Sequence, residues 1–246
     1  MMLKKYYGQL RFAGRLDVVV KHAGLYGLLL ALIWLTAGCA NGQQLQGQTG
    51  SLPVKPSGPS PVEKITPAER NVYDWVVIGA REEVARGVIY DASYRQVKYP
   101  GGDVPPESGA CTDVVIRAFR FAGIDLQQLI HEDMRENFEL YPQLWGLPGP
   151  DTNIDHRRVP NQMKFFARHG QALPLLVQGE DLLTWQWGDV VYWRFANGLE
   201  HCGIISDRKN LHGVPLAIHN AGVAREEDCL TRWEITGHFR YPPVSE

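Results

Sequence analysis

The sequence predicts an α+β domain, with helices in its first half and an antiparallel β-sheet in its second. Three observations predict it. Apolar residues recur at helical spacing between cap and stop residues from about Thr66 to Gly170. Short runs rich in β-branched and aromatic residues follow from Asp189 to Tyr241. Polar turns such as Asp207-Arg-Lys-Asn210 separate several of these runs, which suits antiparallel neighbours.

The globular part is preceded by a leader. Lys4, Lys5, Arg11, Arg15 and Lys21 are followed by the apolar run Leu25–Ala37, too short to span a membrane comfortably. Leu35-Thr-Ala-Gly-Cys39 resembles the bacterial lipoprotein signal motif. That resemblance implies an exported protein, cut after residue 38, lipidated on Cys39 and held at a membrane facing the periplasm. An ordinary cleaved signal peptide, or an uncleaved anchor, would export the chain too. Residues 39–62 are rich in Gln, Gly, Ser and Pro and read as a tether. Residues 63–246 then form one domain. Taking the leader's five Lys/Arg and one Asp from totals of 25 and 27 leaves a net charge of −6. An acidic exported domain without basic runs argues against nucleic acid as a partner, and a monomer is expected.

Thr66-Pro67-Ala-Glu69 reads as a capping box opening a helix to about Arg86, with Val72, Trp75, Val76 and Ala80 inward and Gly87 as the stop. A second helix runs from about Cys111 to Gly123. Asp125 caps a third from Leu126 to about Phe138, with Leu126, Leu129, Ile130 and Met134 on one face. Pro160 to His169 forms a fourth. The strands are Asp189–Trp193, Gly203–Ser206, Pro215–His219 and Gly237–Tyr241. Period-two alternation puts Ala217 and His219 on one face, Leu216 and Ile218 on the other.

Cys111 lies where a Gly/Pro-rich stretch gives way to a helix. Free N–H groups and the positive dipole end there favour a thiolate. His201 and His219, downstream at strand positions, make a nucleophile–base arrangement possible. The alternative for a single cysteine is a small buried hydrophobe. After Cys39 three cysteines remain, so Cys202 and Cys229 can pair or stay free. No CxxC points to zinc or to thioredoxin-type chemistry, and no cofactor is expected.

In chain order, Tyr99-Pro-Gly-Gly102, Cys111 opening a helix, Trp185-Gln-Trp-Gly-Asp189-Val-Val-Tyr-Trp193, a His201-x-Gly-Ile strand and an Ile-His219 strand resemble the NlpC-type cell-wall cysteine peptidases and amidases of the papain-like clan. Thr112-Asp113 stand where better-known members carry Ser-Gly. A closer resemblance is to the exported bacterial family called domain of unknown function 1287. It rests on Tyr99–Pro105, Cys111–Arg117, Asp151–Asn161, Gly188–Trp193, His201–Ile204 and Ile218–Asn220. The resemblance implies a papain-like fold, with the nucleophile at a helix N-terminus packed on an antiparallel sheet.

The site then takes these expected roles. Cys111 attacks an amide carbonyl, His201 holds the ion pair and protonates the leaving amine, and His219 orients His201. The Cys111 N–H and the Tyr99 hydroxyl support the oxyanion. In the polar Asp151–Asn161 segment, Arg157 or Arg158 clamps a substrate carboxylate, unless both belong to an internal ion-pair network; Asp113 can pair with one of them. The expected substrate is a peptidoglycan peptide or another peptide, cut by hydrolysis or passed to an amine. Two other readings stand beside it: a non-catalytic envelope-binding lipoprotein, and a metal hydrolase using His201, His219, Asp155 and His156.

Overall fold

The computed structural model describes residues 60–244. The leader, Cys39 and most of the proposed tether lie outside the described residues. The tail of the tether belongs to the domain: Ser60 and Val62 are fully buried, and Ser60 Oγ and Val62 N both donate to Asp207 Oδ2, at 2.5 and 2.8 Å. The ordered domain therefore starts by residue 60, not at 63.

Helix α1 covers Val72–Arg86. The Thr66–Glu69 side-chain bond forms at 2.7 Å but closes a turn ahead of the helix. The cap that opens α1 is Asn71, whose Oδ1 accepts from Tyr73 N and Asp74 N while Asp74 accepts from Asn71 N. Starting the helix later leaves Val72 and Trp75 only half-buried, while Val76, Val77 and Ala80 enter the core. Gly87, at φ 64°, ends it. Strands β1 (Ile89–Tyr90) and β2 (Ser108–Gly109) form a small parallel pair beside the start of α2, Cys111–Phe121. Helix α3 is Leu126–Glu136, capped by Asp125, and α4 is Val159–His169 with Pro160 in its first turn. Asn137 breaks α3 short of Phe138, and a 3-10 turn carries on.

The remaining strands are β3 (Gln171–Ala172), β4 (Val190–Arg194), β5 (Glu200–Lys209), β6 (Pro215–Asn220), β7 (Ala224–Glu227) and β8 (Glu234–Arg240). They form one sheet in the order β3-β8-β4-β5-β6-β7, every neighbouring pair antiparallel. The α+β class is thus observed. Alternation sorts the sheet's two faces. Val190, Tyr192, Cys202, Ile204 and Ile218 pack with α1, α2 and α4 in the main core. Val191, Trp193, Ile205 and Ala217 pack on the far side with Trp185, Cys229 and Leu230. Cys202 and Cys229 therefore sit in cores on opposite faces. Both are free, as is Cys111, so the Cys202–Cys229 disulfide is not formed.

Helix α2 is the hub. Nine of its residues are buried, polar Thr112, Asp113 and Arg117 among them. Arg117 pairs with Glu83 at 2.8 Å and Asp103 at 3.0 Å and donates to the carbonyls of Val104, Pro105 and Ser108. These bonds satisfy the backbone of the Gly/Pro-rich approach to Cys111 and fix its path.

Candidate active site

The site assembles where the N-terminus of α2 meets the start of β5. Cys111 is the first residue of α2. Asp113 accepts from Ala110 N at 2.6 Å, holding the turn that delivers the thiol. Arg157 grips Asp113 with Nε on Oδ1 at 2.9 Å and Nη2 on Oδ2 at 2.8 Å, and donates to the carbonyls of Ser93 and Asp91. Thr112 Oγ1 donates to the Arg157 carbonyl at 2.9 Å. The Asp151–Asn161 segment is therefore a clasp on the nucleophile's helix. Its Arg157, 3% exposed at the side chain, is an internal ion-pair residue and not a carboxylate clamp.

Cys111 is held well below the usual cysteine range. The Cys202 thiol donates to it, which outweighs the cost of burial, and His201 and the Cys202 backbone add further hydrogen bonding. The Cys202 thiol is pushed well up by burial and by facing Cys111, so it stays a proton donor. His201 Nε2 lies 2.9 Å from His219 Nδ1, and His219 Nε2 lies 3.0 Å from Glu227 Oε1. Hydrogen bonding to His219 holds Glu227 at about 2, so at neutral pH it only accepts. The proton order follows from that: His219 carries its proton on Nε2 and accepts on Nδ1 from His201 Nε2, so the neutral His201 keeps Nδ1 as its unprotonated ring nitrogen. Burial keeps the pKa of His219 below the ordinary range, favouring this neutral form. Arg232 Nη1 holds Glu227 from outside at 2.8 Å.

Aromatic rings set the imidazoles in place. Trp193 stacks on His201 at 5.7 Å, and Trp233 meets His201 and His219 edge-on, each at 5.7 Å. The expected triad residues Cys111, His201 and His219 are thus brought together, with Cys202 and Glu227 added.

Tyr99 is not among them. It packs edge-on against His131, 4.9 Å between centroids, because the chain turns away at Gly101 and Gly102, whose N–H groups donate to Asp125 and Gln127. The tyrosine at the thiol is Tyr90, which lines the same pocket as Cys111. Burial and the neighbouring Cys111 raise its pKa, so its hydroxyl remains a donor. That pocket, of about 250 Å³, is also lined by Trp145, Arg158, Pro160 and Glu200. Arg158 lies over the Trp145 ring at 3.8 Å and gives Nη1 to Asp155 at 2.8 Å. Of the two arginines, Arg158 is the one that reaches open space.

Asp155 and His156 belong to the turn before α4 and do not join the two histidines. Among the described residues, His219, Glu227 and Cys229 place ligand atoms within 4.8 Å of one another. Glu227 is already bonded to His219 and Arg232, and burial raises Cys229 so that it keeps its proton. This donor set matches a hydrogen-bonded relay better than a metal centre.

Cys202 was legible in part, since alternation puts it on the helix-facing side. Tyr90, Glu200 and Glu227 had no local signal: each depends on a register or a chain path that only the folded sheet defines.

The family model "Domain of unknown function (DUF1287)" matches residues 77–241, which hold every site residue above. The uncharacterized protein YijF of Escherichia coli (strain K12) is 52% identical over 164 residues, 66% of this chain and 78% of the relative. The chain belongs to the DUF1287 family.

Proposed function

We propose that this protein is a cysteine hydrolase with an NlpC-like, papain-like arrangement, cutting an amide bond in peptidoglycan peptides. The observation that carries the reading is the hydrogen-bonded series His201–His219–Glu227 next to Cys111, a thiol held well below the usual cysteine range that lines an open pocket. A structural cysteine needs neither a depressed pKa nor a directed imidazole chain.

The cycle follows from the proton order. His201 Nδ1 takes the thiol proton, and the Cys111 thiolate attacks the amide carbon. The oxyanion is stabilised by the Cys111 N–H at the α2 N-terminus and by the Tyr90 hydroxyl. His201 gives its Nδ1 proton to the leaving amine as the C–N bond breaks, leaving a thioester. Water, deprotonated by His201, then releases the acid and frees the thiol. His219 and Glu227 keep His201 in one tautomer and stabilise its cation. An amine replacing that water would give transfer in place of hydrolysis. The leader residues before the domain support export and lipidation on Cys39, which would bring the site to the cell wall.

Full-length protein and its Cys111→Ala variant, incubated with peptidoglycan sacculi and defined muropeptides, should differ by amide-cleaved products seen by mass spectrometry. Identical profiles with retained binding to sacculi would establish the non-catalytic envelope-binding reading instead.

A further inference from the structure

Three charged residues line the pocket beside Cys111: Arg157, Arg158 and Glu200; Arg157 is taken up by Asp113, which leaves Arg158 and Glu200 to meet a ligand. Arg158 is preorganised. Trp145 supports its guanidinium face at 3.8 Å, Asp155 holds one donor through Nη1, and the side chain is 16% exposed. Stacking on an indole fixes the plane of the fork without using its edge, which is how a carboxylate is met in two-point fashion. Glu200 is exposed, opens β5 and stands next to His201. Both line the single pocket of about 250 Å³ that also exposes Cys111, with Leu144, Val159 and Pro160 as apolar wall.

We infer that this pocket selects amide substrates bearing a carboxylate and an ammonium together, the carboxylate held by Arg158 on Trp145 and the ammonium by Glu200. This deepens the hydrolase reading and rests on it. Short peptides with free charged groups close to the scissile bond fit; uncharged or blocked ones do not. A pocket of this size takes one or two residues, so discrimination comes from those two charges and not from a long sequence.

The test reads charge at Cys111 without requiring turnover. Full-length protein, Arg158→Gln and Glu200→Gln are alkylated with iodoacetate, iodoacetamide and 2-bromoethylammonium, with modification of Cys111 followed by peptide mass spectrometry. Each charged reagent's rate is divided by the iodoacetamide rate of the same protein. Arg158→Gln should lower the iodoacetate ratio about tenfold, equivalent to roughly 1.4 kcal/mol, and leave the ammonium ratio in place. Glu200→Gln should do the reverse. Unchanged ratios, or a change in only one variant, would overturn the two-charge selection while leaving the hydrolase reading intact. If iodoacetamide itself fails to modify Cys111 in the parent protein, the nucleophile reading falls, and this inference falls with it.

Discussion

Arg157→Met separates the two roles open to the Asp151–Asn161 segment. In the structure Arg157 and Asp113 are each 3% exposed at the side chain, joined by the two-point contact at 2.9 and 2.8 Å. Methionine fills similar volume but leaves a buried carboxylate unpaired and removes the donors to the Ser93 and Asp91 carbonyls. Breaking a buried pair from one side costs about 3–5 kcal/mol. In a domain of this size that lowers Tm by roughly 6 to 20 °C. The measurement is a pair of urea and thermal melts on the parent protein, Arg157→Met, Asp113→Asn and the double variant. The double variant should lose less than the two single losses added together, because it removes the stranded charge as well. A loss below about 1 kcal/mol in Arg157→Met, as for an exposed ion pair, would refute the clasp. Weakened substrate binding at unchanged stability would restore Arg157 as a carboxylate clamp.

Three further outcomes test the site. Removing the donor thiol in Cys202→Ala should move the midpoint of Cys111 alkylation upward in pH, since that hydrogen bond is the largest cause of its depression; a parent midpoint at or above about 8.5, the value of free cysteine, would contradict the thiolate. Glu227→Gln should slow amide cleavage about 10- to 100-fold, the worth of a hydrogen bond to a charged group, while the protein stays folded at neutral pH. Glu227 is held at about 2, below its ordinary 4.5. Its contribution to stability is therefore present above 4.5 and lost as pH falls toward 2. Denaturant melts at pH 6 and pH 3 should show a smaller acid loss in Glu227→Gln than in the parent protein; equal losses would remove Glu227 from the relay.

Local chemistry makes much of this candidate site legible in the sequence. Cys111 sits at a helix start, and His201 and His219 fall within β-rich runs, because caps, glycines and period-two patterns are short-range signals. The first capping box was misleading for the same reason. Thr66 and Glu69 do bond, yet only Asn71 has its first turn supported by tertiary packing. Tyr99 is close to Cys111 along the chain but not in space, because Arg117 and Gln127 bend the Gly/Pro stretch away and Tyr90 enters from β1. Glu227 lies in β7, whose sequence Ala-Arg-Glu-Glu has little strand character. It becomes a strand by pairing with β6, where His219 faces Arg225. Nothing in the four residues alone announces that.

The histidine pair has a property that belongs to counting. Gly203 pairs with His219 across β5 and β6, and His201 lies two residues earlier on the same face. A Cβ on Gly203 would stand 2.7 Å from the Ile218 carbonyl and 3.0 Å from the His219 Cβ, so the strands leave no room for a side chain at the site. Further along, the pairs Ile205↔Ala217 and Lys209↔Pro215 match four steps of β5 to two of β6. The surplus is even, so side chains keep their faces across the irregularity. The hairpin can lengthen or shorten by pairs of residues and still present both imidazoles together. Where a single-residue change shifts the register, it turns His219 inward among the helices. In this protein a frame slip at the distant turn and the loss of the histidine are the same lesion.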